Sequence, residues 1–216
     1  MKLYKKQFLE LAIKLNVLKF GEFTLKSGRI SPYFFNAGLF NTGQAAACLG
    51  GYYANAIKDS GIEFDMLFGP AYKGIPLVTL SASALAIDHN IDKPFSYNRK
   101  EAKQHGEGGV IVGAPLNGKV LIIDDVITAG TAVKEAFNLT AESGATVAGL
   151  IISLDRQEIG PSGKSAIQEL ESNLNIPVIS IAKLDDLIEL VKYDDKLKIH
   201  LASILQYRDQ FGIRPK

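Results

Sequence analysis

Residues 118–136 read GKVLIIDDVITAGTAVKEA. Four apolar residues in a row, Val120, Leu121, Ile122 and Ile123, end in two adjacent acids, Asp124 and Asp125. Small and hydroxylated residues follow: Thr128, Ala129, Gly130 and Thr131. A short continuous apolar run is the mark of a strand covered on both faces. A helical pattern begins near residue 130, so the stretch reads as strand, tight turn, helix. Neighbouring carboxylates repel each other and resist burial. Two of them closing a buried strand need a reason that packing does not supply.

The same alternation extends in both directions. FDMLFGP (64–70) is a short apolar strand, followed by a helix through about residue 89. KPFSYNR (93–99) is strand-like, ATVAGLIISLDR (145–156) is a strand, SAIQELESNL (165–174) a helix and IPVISIAKL (176–184) the last strand. Helical segments near 184–192 and 195–208 close the chain. Upstream, Phe8, Leu11, Ala12 and Leu15 recur at helical spacing, GEFTLKSG (21–28) and SPYFFNAGLF (31–40) are β-rich, and residues 43–60 form a helix. Apolar strands alternating with helices predict an α/β fold with a parallel sheet flanked by helices. Ligands of such sheets bind beyond the carboxyl ends of the strands. There the sequence places Tyr72-Lys73-Gly74, Arg99-Lys100, Asp124-Asp125 and Asp155-Arg156.

Length and composition set limits. The 216 residues suit one domain with a sizeable core, and 47% hydrophobic with 22% charged residues is ordinary for a globular protein. A net charge of +1 gives no electrostatic reason to expect nucleic acid or a membrane as partner. The single cysteine, Cys48, excludes an internal disulfide and sits in the small apolar stretch AAACLGG as a packed thiol. The N-terminal lysines precede an apolar region, but Glu10 and Lys14 interrupt it and no cleavage site follows, so a cytoplasmic protein is expected. His89 and His200 lie in helical contexts and read as structural or exposed.

Two further segments bear on chemistry. GPSGKS (160–165) hints at a nucleotide-binding P-loop, but the first glycine of that motif would fall on Glu158 and no strand leads into it. Gly163–Ser165 therefore reads as the turn that starts a helix. RKEAKQHGEGG (99–109) gathers Arg99, Lys100, Lys103 and His105 ahead of three glycines. A basic, glycine-hinged loop on the ligand side suits a lid that closes over a highly anionic ligand such as a diphosphate. The turn 126–131 presents backbone N–H groups and two threonine hydroxyls before a helix N-terminus, a setting for a phosphate. Paired carboxylates at a strand end suit sugar hydroxyls, a divalent metal or a developing positive charge.

Together these segments resemble the type I phosphoribosyltransferases. VLIIDDVITAGTA is similar to their signature for phosphoribosyl diphosphate (PRPP). FTLKSGRISPYFFNAG, FGPAYKGIPL, YNRKEAKQHGEGG and SLDRQE resemble one branch, the orotate phosphoribosyltransferases, in order from about residue 20 to 160. The resemblance implies a single domain over 1–216, in which about residues 1–40 form a small α/β hood over the base site. It implies transfer of ribose 5-phosphate from PRPP to orotate, giving orotidine 5′-monophosphate and diphosphate in pyrimidine biosynthesis. Mg²⁺ would accompany the diphosphate, held by diphosphate and ribose oxygens and not by an all-protein site.

By the same resemblance, Val126, Ile127, Thr128, Ala129, Gly130, Thr131 and Ala132 receive the 5′-phosphate, and Asp124 and Asp125 face the ribose hydroxyls. Lys26, Tyr72 and Lys73 contact PRPP. Arg99, Lys100, Lys103 and His105 form the lid, with Lys103 stabilising the departing diphosphate. Orotate falls to Lys26, Phe34, Phe35, Thr128 and Arg156. Read without the family, Phe34 and Phe35 are core aromatics, and Arg156 is open between an ion pair with Asp155 and a ligand contact. The family's lid reaches into the neighbouring subunit, implying a homodimer with shared sites. A PRPP-sensing nucleic-acid binder would not need the lid, and a purine phosphoribosyltransferase would not need a cation for a base carboxylate.

Overall fold

The computed structural model describes residues 1–25, 27–103, 109–127 and 130–213, with the backbone alone at Ala102 and Lys103. Its elements in chain order are α1 (Leu3–Lys14), β1 (Leu18–Thr24), β2 (Ile30–Phe35), α2 (Gly43–Ser60), β3 (Met66–Gly69), α3 (Gly74–His89), β4 (Phe95–Lys103), β5 (Gly109–Gly113), β6 (Lys119–Ile123), α4 (Thr131–Glu142), β7 (Thr146–Asp155), α5 (Ala166–Leu174), β8 (Val178–Lys183), α6 (Leu184–Tyr193) and α7 (Leu201–Phe211).

Six strands form the central sheet in the order β5-β4-β3-β6-β7-β8, and β1 and β2 form a separate antiparallel hairpin. The pairs β3–β4, β3–β6, β6–β7 and β7–β8 are parallel, and only β5 at the edge runs antiparallel, against β4. Side chains alternate across the sheet. Met66, Phe68, Val120 and Ile122 face the layer that holds Val133 of α4 and Leu170 of α5. Leu67, Leu121 and Ile123 face the larger layer built from α1, α2, α3, α6 and α7. Each such fully buried apolar side chain stabilises the fold by about 1.5–3 kcal/mol.

The strand order positions the site. From β3 the chain moves outward to β4 and β5, then returns to β6 on the other side of β3. The crevice between β3 and β6 is therefore the point where the order reverses. The turn that leaves β3 is tight: a methyl group on Gly69 would collide with the Gly74 carbonyl, and one on Gly74 would lie 2.6 Å from Pro70 Cδ. Two glycines are thus required for the chain to double back beside the crevice.

Two expectations need correction. Residues 99–103 are strand, not loop: β4 runs through Lys103 and pairs with β5, with Lys103 opposite Gly109. Charge and glycine content suggested a hinged lid loop, but an edge hairpin tolerates polar side chains on its open face. The five-residue β5 is too short to show a period of its own. The last helix starts later than expected, after a 3₁₀ turn at Lys198–His200, and continues to Phe211. The reading of Gly163–Ser165 holds, since the Ser165 hydroxyl accepts from Gln168 N–H in a capping box that opens α5. Among the described residues no helix is long and apolar enough to cross a membrane.

Candidate active site

A cavity of about 290 Å³ occupies the crevice between β3 and β6. On one side stand Ala71, Tyr72 and Lys73 from the turn after β3; on the other, Asp124, Asp125, Val126 and Ile127 after β6, then Gly130, Thr131, Ala132 and Val133 at the start of α4. The two turns are far apart in sequence but leave neighbouring strands at the same sheet edge. Gly130 adopts φ +69° and serves as the helix N-cap without a side-chain cap bond. Thr131 follows as an exposed first helical residue, so its hydroxyl is not spent on capping. A helix N-terminus with uncapped N–H groups and a hydroxyl is suited to an anion.

The two acids are held as a rigid pair. Asp124 Oδ1 accepts from Asp125 N–H at 2.9 Å, and Asp125 Oδ1 accepts from Val126 N–H at 2.8 Å. Lys73 Nζ donates to Asp125 Oδ2 at 2.5 Å, so one of the two negative charges is paired across the crevice. Burial pushes the Asp124 carboxyl up to about 6; the Asp125 N–H opposes this, the Asp125 charge adds to it and Lys73 opposes it. Lys73 pairs one of the like charges at the end of the buried strand, and burial makes ionisation of the other costly.

The backbone beneath them is also fixed. Tyr53, fully buried in α2, donates its hydroxyl to the Asp124 carbonyl at 2.8 Å. The Asp125 carbonyl accepts from both the N–H and the hydroxyl of Ser153, at 2.8 and 2.5 Å. Buried Asn98 links the turn after β3 to α4: its Oδ1 accepts from Ala71 N–H at 2.7 Å, and its Nδ2 lies 3.3 Å from Glu135 of α4. None of these residues was identified from sequence. A single tyrosine, serine or asparagine inside an apolar element carries no motif.

The other predicted residues divide. Lys73 and Tyr72 line the crevice. Arg99 and Lys100 do not: Lys100 pairs with Glu135 at 2.7 Å, and Arg99 Nη1 is buried without a partner among the described residues. Lys26, His105, Thr128 and Ala129 lie outside the described residues, as does the side chain of Lys103. Phe34 and Phe35 point to opposite faces of β2. The Phe34 ring is 40% exposed and packs on Phe23, whereas Phe35 packs on Phe8 in the core.

Arg156 pairs with Glu158, not with Asp155, at 2.6 Å. Asp155 instead accepts from Gln157 N–H. Arg156 also donates to Ser31 Oγ at 2.9 Å and lies over the Tyr33 ring at 4.1 Å, which ties the β1–β2 hairpin to the end of β7. Among the described residues no cluster of three or more His, Cys, Asp or Glu could hold a metal ion.

Comparison with known proteins agrees with this geometry. The phosphoribosyl transferase domain family matches residues 39–173. The chain is 59% identical over 213 residues to the orotate phosphoribosyltransferase of Serratia proteamaculans, covering 99% of this chain and 100% of that protein. The crystal structure of the Francisella tularensis orotate phosphoribosyltransferase superposes with a TM-score of 0.85 at 48% identity, over 95% of this chain and 99% of that one. A Mycobacterium tuberculosis orotate phosphoribosyltransferase crystallised with PRPP shares the fold, with a TM-score of 0.62 at 20% identity over 85% of this chain and 98% of that one. With its mostly parallel sheet, its acid-paired crevice and these relatives, the chain belongs to the phosphoribosyltransferase family, in its orotate phosphoribosyltransferase branch.

Proposed function

We infer that the protein transfers the ribose 5-phosphate of PRPP to orotate, giving orotidine 5′-monophosphate and diphosphate in pyrimidine biosynthesis. The observation that carries this reading is the crevice, where a buried acid pair, a lysine and an uncapped helix N-terminus face one cavity. In the reaction orotate N1 gives up its proton to water and bonds to ribose C1. The C1–O bond to diphosphate breaks, and its electron pair leaves with diphosphate. The ribose passes through an electron-poor state, which the negative charge of Asp124 and Asp125 favours. The start of α4 receives the 5′-phosphate, while Tyr72, Lys73 and Lys26 address the diphosphate. Lys73 has to leave Asp125 for the diphosphate, which frees that carboxylate for a ribose hydroxyl.

The donor set fits Mg²⁺ carried in by the substrate. Mg²⁺ keeps several waters and takes one or two carboxylates besides phosphate oxygens. Once Lys73 has left it, Asp125 faces a ribose hydroxyl, so diphosphate and ribose oxygens would hold the ion and the acid pair would contribute negative charge. Bound there, it would offset the charge on the departing diphosphate.

The whole chain, 1–216, acts as one phosphoribosyltransferase domain, and the hood contributed by about residues 1–40 is chiefly the β1–β2 hairpin. Its tethers are Arg156 to Ser31 and Arg29 to the Ile159 carbonyl at 2.8 Å. Orotate lies beneath it, against Arg156, Phe34 and the backbone at Phe35, with Lys26 and Thr128. Arg99, Lys100, Lys103 and His105 serve the pocket of a second copy in a cytoplasmic homodimer with shared sites. Support for this sharing is that Arg99 and Lys100 do not line their own chain's crevice. Neither nucleic acid nor membrane is a partner. Purified protein with PRPP, Mg²⁺ and orotate is expected to consume the orotate absorbance and release diphosphate. Turnover with adenine or hypoxanthine in place of orotate would reject the base assignment and keep the fold.

A further inference from the structure

The Arg156 side chain is locked by a group of residues that neither the crevice nor the base contact explains. Glu158 Oε1 accepts from Arg156 Nε at 2.7 Å and pairs with Nη2 at 2.6 Å. The same oxygen accepts from the Tyr207 hydroxyl of α7 at 2.9 Å. The remaining Nη2 contact goes to Ser31, and the Tyr33 ring supports the guanidinium face. Nη1 is the nitrogen that makes no hydrogen bond to the described residues. A guanidinium carries five donors in one plane, so fixing the Nε–Nη2 edge fixes where Nη1 points. The backbone adds a second clamp: Ile159 N–H donates to the Phe211 carbonyl and Ile213 N–H to that of Gln157, both at 2.8 Å. Residues 157–159 are thereby joined to the end of α7.

We propose that Glu158 and Tyr207 are positioning residues for base recognition, holding Arg156 so that its Nη1 donors meet a planar, anionic, carbonyl-bearing pyrimidine. This rests on the assignment of Arg156 to orotate. Preorganisation of this kind lowers the cost of binding without touching the ligand. A lone arginine that had to be ordered at each binding event would lose affinity in side-chain entropy. Glu158 provides charge-assisted bonds, and Tyr207 orients Glu158 from the C-terminal helix.

Steady-state kinetics on the intact protein test the proposal. Glu158→Gln is expected to raise the KM for orotate about tenfold and leave that for PRPP within about twofold. Tyr207→Phe, which keeps the ring and the packing of α7, is expected to shift the orotate KM about threefold in the same direction. In an Arg156→Ala background, Glu158→Gln is expected to add nothing further, because it acts through the arginine. An unchanged orotate KM in both single variants overturns the proposal. So does an equal rise for PRPP, or additivity with Arg156→Ala. If Arg156→Ala alone leaves the orotate KM unaltered, the assignment of Arg156 falls and the positioning role with it. Failure of the unaltered protein to turn over orotate would strike the proposed reaction itself.

Discussion

The crevice between β3 and β6 takes its groups from two short turns, each starting at the end of a strand. The region around Arg156 draws on β2, the segment after β7 and α7; Ser31 and Arg156 alone are 125 residues apart. In the crevice each turn is local, so two short contiguous stretches, 71–73 and 124–133, encode its chemistry. Around Arg156 it depends on side chains that meet only after the hairpin and the last helix dock. A variant in the crevice should therefore act on turnover, and one in the distributed region on recognition of the base.

The sharpest separation is expected from Lys103→Ala. If Lys103 stabilises the leaving diphosphate, kcat falls at least about a hundredfold, roughly 2.7 kcal/mol of barrier, with little change in the orotate KM. An unchanged kcat, measured by diphosphate release, would remove the lid lysine from the chemistry and leave the crevice to work alone.

Asp124→Asn tests the acid pair with two opposed readouts. The Asp124 carboxyl stands at about 6, against 3.8 for an ordinary aspartate. The folded state therefore holds its proton more tightly than the unfolded chain. The resulting stability is fully present below about pH 4 and is lost as pH rises through about 6. By the linkage relation the loss is on the order of 3 kcal/mol. Asparagine keeps the acceptor for the Asp125 N–H and carries no charge. The variant should match the wild type in urea melts near pH 4, exceed it at pH 7.5, and still lose about tenfold or more in kcat. A variant that melts earlier at pH 7.5 with full activity would make the pair structural.

On the distributed side, Arg156→Ala should raise the orotate KM by about tenfold or more and spare PRPP. Equal loss for both substrates would show that the arginine chiefly pins the hairpin to the end of β7, through Ser31 and Tyr33.

How much of this was legible in the sequence follows the same division. The run from Val120 to Thr131 announced the strand, the acid pair and the start of α4, because all of them are consecutive. The strands β3, β6, β7 and β8 were legible as apolar runs. The edge strand β5 was not, since five residues between glycines carry no period, and β4 was cut short because its outer half is polar. The partner of Arg156 was two residues away in SLDRQE, yet sequence order pointed to Asp155. The strand ends at Asp155 and Gln157 takes φ +50°, so the pairing of Arg156 with Glu158 is made across a turn that sequence order did not reveal. Tyr53, Ser153 and Asn98 were invisible for another reason. Their hydroxyl and amide groups reach backbone atoms of the site from other elements, and no spacing rule links them to it.

Tyr53→Phe asks whether the crevice is as local as its sequence suggests. The Tyr53 hydroxyl is fully buried, and its bond to the Asp124 carbonyl reaches from α2 to the end of β6. Burial raises its pKa well above 10, with the charges of Asp125 and Asp124 adding, so it remains a donor across the working range. Removing the oxygen leaves that carbonyl short of one donor. The expected cost is about 1 kcal/mol, or about 2–4 °C in Tm for a chain of this size. If the hydroxyl also sets where the acid pair points, kcat falls a few-fold with both KM values unchanged. A lower Tm with full kcat would leave the turn after β6 able to place its acids without help from α2. A kcat loss as large as that of Asp124→Asn would instead make the crevice a distributed site in its own right, differing from the region around Arg156 only in how much of it is written in one line of sequence.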